Sequence, residues 1–305
     1  VIDPILFSVD LGFTILTVRW YGLLFVIGIL AAAAYASWYV KRKDEDPNLV
    51  WDAILWLLIA GIVGARIWYV IADLIGGNSR YLDDPITILF IHQGGLNILG
   101  GVVAGAAAGW YYTKRNQIDF WLLADAIAVG YLIGQAIGRL GNYINQELYG
   151  PPTTLPWGLS IEAAHRIPPW NDLEQYPVET TRFHPTFAYE MIWNLFFAGL
   201  LTYLIVKKEE LMRPGVVAGS VLLITGLGRA LLEINFRPDQ PEFFGLGIST
   251  SLIVSIVFAL IGLFIVLVKS GLMTVSFMET TTEYKKRVIH RRRPPASRKS
   301  RQKKA

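Results

Sequence analysis

Three arginines stand inside stretches otherwise too apolar to keep them in water: Arg66, Arg139 and Arg229. At the centre of a membrane span an arginine costs roughly 2.5 to 3.5 kcal/mol on insertion scales, so each one retained there needs a partner or a task. Around Arg139 the sequence runs GQAIGRLGNYINQELYG; Gln135, Arg139 and Asn142 recur at spacings of four and three, which puts them on one helix face. Glu147 follows, while Arg229 has Glu233 one turn on, with Asn235 and Arg237 beyond. Two readings fit these residues. Guanidinium forks take phosphate oxygens bidentately, so two of them make a clamp for a phospholipid headgroup. Structural ion pairs, Arg229 with Glu233 and Arg139 with Glu147 or Asp125, would satisfy the same charges. Asp125 lies 14 residues before Arg139, roughly 21 Å along a helix, which argues against that last pairing. For Arg66, snorkelling to headgroup level beside Asp73 is the default expectation.

These residues need a scaffold, and composition says which. Of 305 residues 53% are hydrophobic and 17% charged, with mean hydropathy +0.41, and apolar stretches of about 18 residues or more recur. That length crosses roughly 30 Å of hydrocarbon, so the expected fold is all-α, a polytopic membrane bundle of about seven helices. The spans fall near 19–40, 51–74, 88–112, 120–140, 187–206, 215–234 and 247–268. Lys41, Arg42 and Lys43 follow the first span, Lys114 and Arg115 the third, Lys207, Lys208 and Arg213 the fifth, and twelve more Lys and Arg lie from Lys269 onward. By the positive-inside rule that face is cytoplasmic, which leaves the N-terminus outside and places Arg139 and Arg229 near the outer leaflet. The net charge of +4 therefore reflects topology and the tail, and nucleic acid is not an expected partner.

The segment before the first span has no basic n-region or small-residue cleavage site, so a removable signal peptide is not read there; with Pro4 and Gly12 it is expected to pack as strand or re-entrant chain. Residues 1–282 form the expected membrane-embedded domain. Its 141–186 connection, with PPTTLPWG and IPPW, suits an ordered cap at headgroup level. Residues 283–305 are a basic tail of disordered composition, suited to anionic membrane lipids. GGLNILGGVVAGAAAG in the third span permits close helix contact, although its two Gly-Gly pairs give more backbone freedom than packing needs. The absence of cysteine excludes a thiol nucleophile and disulfides of the protein's own, and histidines at 92, 165, 184 and 290 are too scattered for a metal cage. A solute transporter would ordinarily show symmetric repeats and paired broken helices, neither of which is visible.

Several segments together resemble the prolipoprotein diacylglyceryl transferase family. GRLGNYINQELYG at 138–150 looks like the family signature Gly-Arg-x-Gly-Asn-aromatic-x-Asn-x-Glu, and the supporting segments WYGLLFVIG, GARIWYV, HPTFAYE and GRALLE occur in family order along the spans. The resemblance implies transfer of diacylglycerol from phosphatidylglycerol to the lipobox cysteine of exported prolipoproteins in the bacterial inner membrane, with no cofactor. It implies a site made by Arg139 and Arg229 on the departing phosphate, with Glu147 as a further catalytic candidate; His92, at the outer mouth of the third span, is a candidate base from its position alone. Substrate contacts would come from Tyr21, Arg66, Gly94, Gly95, Gly100, Gly101, Asp125, Asn142, Asn145, Gly150 and Glu233.

The chain also departs from the family. Leu99 stands where the family's Gly-Gly-x-x-x-His-Gly-Gly has histidine, Thr225 replaces a tyrosine, STSL opens the last span and ends at Leu252 where the family has glutamine, and EINFRPD is one residue longer. A hydrocarbon cannot take a thiol proton. Three accounts are open: the thiol ionises unaided beside two arginines, another base such as His92 or His184 serves, or the chain is a phospholipid-binding pseudoenzyme.

Overall fold

The computed structural model describes residues 2–10, 12, 15–91, 94–236 and 247–285. An antiparallel hairpin opens the chain, β1 (Ile5–Asp10) with β2 (Ile15–Arg19), pairing Ile5 with Arg19 and Val9 with Leu16. This is the strand-like packing expected before the first span. The helices that follow are α1 (Trp20–Arg42), α2 (Asn48–Ile75), the single turn α3 (Arg80–Asp83), α4 (Ile98–Asn116), α5 (Phe120–Ile144), α6 (Thr186–Lys207), α7 (Val216–Phe236) and α8 (Thr250–Lys269). Six of them, all but α3 and α4, are long and apolar enough to cross a membrane.

The expected span 88–112 is the one that changes. The described residues among its first ten are not α-helical: a 3-10 turn runs from Pro85 to Leu89, and Gly94 and Gly95 have φ of 90° and 78°, where side chains with a Cβ are strained. The helix begins only at Ile98, where the Asn97 side chain caps Leu99 N at 2.9 Å, and it runs to Asn116. Continuous apolarity through ILFI and the glycines hid that break from a reading by hydropathy.

Lipid tails offer no hydrophobic drive between helices, so close backbone approach must do that work. Three helix pairs use small residues this way. A Cβ on Gly28 of α1 would lie 2.9 Å from the Gly134 carbonyl of α5; one on Gly64 of α2 would lie 2.6 Å from the Gly100 carbonyl of α4; one on Gly262 of α8 would lie 2.6 Å from the Gly219 carbonyl of α7. Around these contacts α1, α5, α6 and α7 share a core in which Tyr39, Leu132, Ile205 and Val217 are fully buried.

The ends of the helices sort into two faces. At one, Lys43 and Arg42 meet Glu209 at 2.5 and 3.7 Å, and Arg213 donates to the Ser270 carbonyl at 2.9 Å, which groups the basic connections. At the other lie the hairpin, the 76–97 segment and the long connection between α5 and α6. That connection has its own small core of Tyr149, Ile161, Trp170 and Phe183, with the Arg166 guanidinium 5.0 Å from the centre of the Phe183 ring. The cap expected from residue 141 starts after α5 ends, at Asn145.

Asp125 is fully buried at the basic end, away from Arg139. Its carboxylate accepts from Gly215 N and Ala218 N, both at 2.7 Å, and from the Tyr284 hydroxyl at 2.8 Å. It therefore caps the start of α7 from a neighbouring helix, where a negative charge complements the helix dipole. Since Tyr284 gives its proton to Asp125, Tyr39, 2.6 Å away, donates in turn to Tyr284. Tyr284, within the expected tail of 283–305, thus packs on the bundle, and residues 286–305 of that tail lie outside the described residues. Asp125→Ala, which strands two backbone donors in the interior, is expected to destabilise the protein by about 3 kcal/mol and Tyr284→Phe by about 1 kcal/mol. Denaturation of the detergent-solubilised protein checks this, and an unchanged midpoint for Asp125→Ala would refute the capping role.

Candidate active site

The charged cluster forms away from the basic end, where α5, α6 and α7 meet. The helical spacing on α5 holds: Gln135, Arg139 and Asn142 share one face, from which Gln135 and Arg139 reach Glu190 of α6 while Asn142 meets Arg139. Glu190 Oε1 accepts from Arg139 at 2.5 Å and from Gln135 at 3.1 Å, while Oε2 lies 3.9 Å from Arg229 of α7. Asn194, one turn along α6 and buried, donates to Gln135 at 2.9 Å and fixes its amide. Arg229 also pairs with Glu233 at 3.2 Å and donates through Nε to Ser251 at 3.1 Å; Ser249 donates to Glu233 at 2.8 Å. The two expected arginines therefore converge. Of the structural ion pairs considered, Arg229 with Glu233 is present, but Arg139 pairs with Glu190 rather than with Glu147 or Asp125.

Glu147 acts through an amide. Asn142 gives its Nδ2 to Glu147 at 2.7 Å, which turns Oδ1 toward Arg139 at 3.1 Å; Asn145 adds a second donor to Glu147 at 3.3 Å. The residues either side of Glu147, Gln146 and Leu148, have φ of 52° and 55°, an uncommon backbone for side chains of this size. Gly150 packs tightly where α6 begins and α7 ends: a Cβ there would meet Thr186 at 2.8 Å and the Phe236 carbonyl at 3.1 Å. Tyr21, at the start of α1, lays its ring over Gly141 of α5.

Other expected site residues have different work. Arg66 neither snorkels nor meets Asp73: it is buried and spends four N–H groups on the carbonyls of Thr87, Ile88, Gly94 and Gly95, at 2.7 to 2.9 Å. It is a clip on the 87–95 segment. Gly94 and Gly95 supply the backbone turns that present those carbonyls, and Gly95 has no room for a Cβ beside Arg66. Gly100 and Gly101 press against Gly64 and Gly61 of α2 as helix-packing residues. Asp125 caps α7 at the basic end, so a substrate contact at the arginine cluster is not open to it. His92 and Arg237 lie outside the described residues.

A cavity of about 300 Å³ opens on the cluster between α6 and α7, lined by Glu190, Asn194, Arg229 and Gln135 on its polar side and by Trp193, Leu231, Leu232 and Phe236 on its apolar side. Tyr189 and Thr225 also line it, and the buried Thr225 Oγ1 and Arg139 Nε have no hydrogen-bond partner among the described residues. Such a lining suits a ligand with an anionic head and an apolar body. Beside the cavity His184 Nδ1 lies 2.9 Å from the Tyr189 hydroxyl, and desolvation holds its pKa below the ordinary histidine value. Sequence reasoning missed Glu190, Asn194 and the two serines. For Glu190 the signal was present: a carboxylate within a span carries the same insertion penalty that singled out the arginines.

The profile of the prolipoprotein diacylglyceryl transferase family matches residues 4–268. A relative from Chloroflexus aggregans, named phosphatidylglycerol–prolipoprotein diacylglyceryl transferase, is 40% identical over 252 residues, covering 80% of this chain and 81% of the relative. Relatives of the same name from Trichormus variabilis (37% over 228 residues, 74% of this chain and 77% of the relative) and Corynebacterium diphtheriae (38% over 247 residues, 79% and 84%) agree. A match of that extent, on a membrane helix bundle whose signature segment carries the arginine cluster, makes the chain a member of the prolipoprotein diacylglyceryl transferase family.

Proposed function

We propose that this protein transfers the diacylglyceryl group of phosphatidylglycerol to the cysteine thiol of a prolipoprotein lipobox, forming a thioether and releasing glycerol phosphate. The observation that carries the reading is the convergence of Arg139 and Arg229, from separate helices, on one buried carboxylate beside a half-apolar cavity. The thiol sulfur attacks the glycerol carbon that bears the phosphate, and the C–O bonding pair leaves on the phosphate oxygen. The departing phosphate gains a negative charge in that step. Guanidinium donors already fixed in a water-poor site stabilise it without reorganisation, which is where such donors act most strongly.

Glu190 gives the apo cluster its order. It holds both forks in place, and an arriving phosphate takes over those donors while Gln135 continues to serve the carboxylate. Asn142, polarised by Glu147, keeps Arg139 pointed during the exchange. Gly150 and Tyr21 shape the surrounding wall, and Asn145 supports Glu147.

The setting follows from the grouping of basic connections. By the positive-inside rule that end is cytoplasmic, which turns the arginine cluster to the outer leaflet of the bacterial inner membrane, with the N-terminus outside and the C-terminus inside. Phosphatidylglycerol would reach the cavity from the bilayer and an exported lipobox peptide from the same side. The cap between α5 and α6 would stand over the site, and the basic tail would lie against anionic lipids on the opposite leaflet.

One observation favours a second reading, a phospholipid-binding relative without turnover: Leu99 and Thr225 stand where the family pattern has histidine and tyrosine. Two measurements decide. With purified protein, phosphatidylglycerol vesicles and a lipobox peptide, the wild type is expected to form thioether, and Arg139→Ala and Arg229→Ala each to lose roughly 10²- to 10³-fold or more in kcat/KM; full activity in both variants would end the transferase reading. In the same assay Leu99→His is expected to change the rate by only a few-fold. A wild type that retains phosphatidylglycerol in native mass spectrometry but turns over only after Leu99→His with Thr225→Tyr would establish the binding reading instead.

A further inference from the structure

A thiol must lose its proton to attack, and the cluster's own carboxylates are already committed. Glu190 serves Arg139 and Gln135, Glu233 serves Arg229 and Ser249, and Glu147 serves Asn142 and Asn145. One imidazole reaches the cavity wall among the described residues, and it does so through a phenol. Tyr189 lines the cavity, and its hydroxyl stands 2.9 Å from Trp157 Nε1 and 2.9 Å from His184 Nδ1. Indole N–H can only donate, so the Tyr189 oxygen accepts there and retains its own proton to give. His184 Nδ1 is the neighbour placed to receive it.

We propose that Tyr189 and His184 form the proton acceptor for the incoming thiol, with Trp157 setting the polarity of the pair. This rests on the transferase reading above. As the sulfur closes on the glycerol carbon, its proton passes to the Tyr189 oxygen and the Tyr189 proton passes to His184 Nδ1. The C–S bond forms, the C–O bond breaks, and the electron pair leaves on the phosphate oxygen. The proton held as imidazolium then returns to the departing glycerol phosphate or to water, and His184 is neutral again for the next cycle.

The surroundings suit an acceptor that starts neutral. The His184 ring packs against Phe236 of α7 with centroids 4.9 Å apart and edge-on to Tyr189 of α6 at 6.0 Å. Of the charged residues beside it on those elements, Glu190 on α6 is taken up by Arg139 and Arg182 on its own segment is exposed, while Arg237 lies outside the described residues. Both histidine backbone groups are tied down, its carbonyl by Gly150 N at 2.8 Å and its N–H by the Pro151 carbonyl at 3.0 Å, which fixes the ring against the α6 entry.

Tyr189→Phe and His184→Gln test this with the full-length protein, phosphatidylglycerol vesicles and a lipobox peptide. At pH 7 each is expected to lower kcat by roughly 10²-fold, a usual size for a lost acid–base group, with KM for the lipid changed less than about 3-fold. Raising the pH to 9, above the reference thiol pKa of about 8.5, is expected to shrink that deficit to a few-fold, because the thiol then ionises without help. A loss under about 3-fold at pH 7, or one equal at pH 7 and pH 9, overturns the proposal, since a packing defect has no reason to follow thiol ionisation. Retention of phosphatidylglycerol by both variants in native mass spectrometry separates a chemical loss from a collapsed site. If the wild type forms no thioether at either pH, the transferase reading itself fails and this inference falls with it.

Discussion

A single carboxylate holds the centre of this molecule together. Glu190 lies between guanidinium groups from α5 and α7, all three largely withdrawn from water. Separated, each would carry a desolvation cost of several kcal/mol; together they offset one another only because the hydrogen bonding around them is nearly complete. Gln135, Asn194, Asn142, Ser249 and Ser251 supply that completion. The network fixes the mutual position of three helices more tightly than apolar packing does in lipid, where helix and solvent are equally oily. It also explains how two positive groups can sit close together before any phosphate arrives.

Around that centre the bundle is assembled from pairs whose backbones nearly touch. Gly28 with Gly134 seats α1 on α5, and Gly219 with Gly262 seats α8 on α7. Those contacts carry no chemistry of their own, yet they bring Tyr21 over Gly141 and set Ser249 and Ser251 against the α7 charges. Packing of α2 on α4 through Gly64 and Gly100 leaves Arg66 free to clip the 87–95 segment. The same residue type thus serves close approach within the bundle and, at Gly94 and Gly95, backbone turns outside it.

What could be read from the chain depended on whether the partner was local. The 135, 139, 142 face and the Arg229–Glu233 pair follow from helical periodicity, and both are present. Arg66 was legible as an anomaly but not as a clip, because its partners are carbonyls 21 to 29 residues away with no side-chain signature. Asp125 was hidden for the same reason: it binds backbone N–H groups 90 and 93 residues on. The late start of α4 eluded hydropathy because glycine and isoleucine are apolar in a turn as well as in a helix. Glu190 differs from these cases. Its anomaly was as plain as that of the arginines, but it stands on a separate helix, 51 residues from Arg139, where helical spacing gives no pairing.

The cap on α7 also bears on biogenesis. Asp125 leaves the ribosome 90 residues before Gly215 and 159 before Tyr284, a wait on the order of ten seconds for the first of these at ordinary elongation rates. During that interval the Asp125 side chain on α5 lacks the partners it has in the folded protein. Its set of hydrogen bonds is complete only once Tyr284 has been made, after every long helix of the bundle. Chains that stop short of Tyr284 would keep every long helix and still lack the last hydrogen bond to that group.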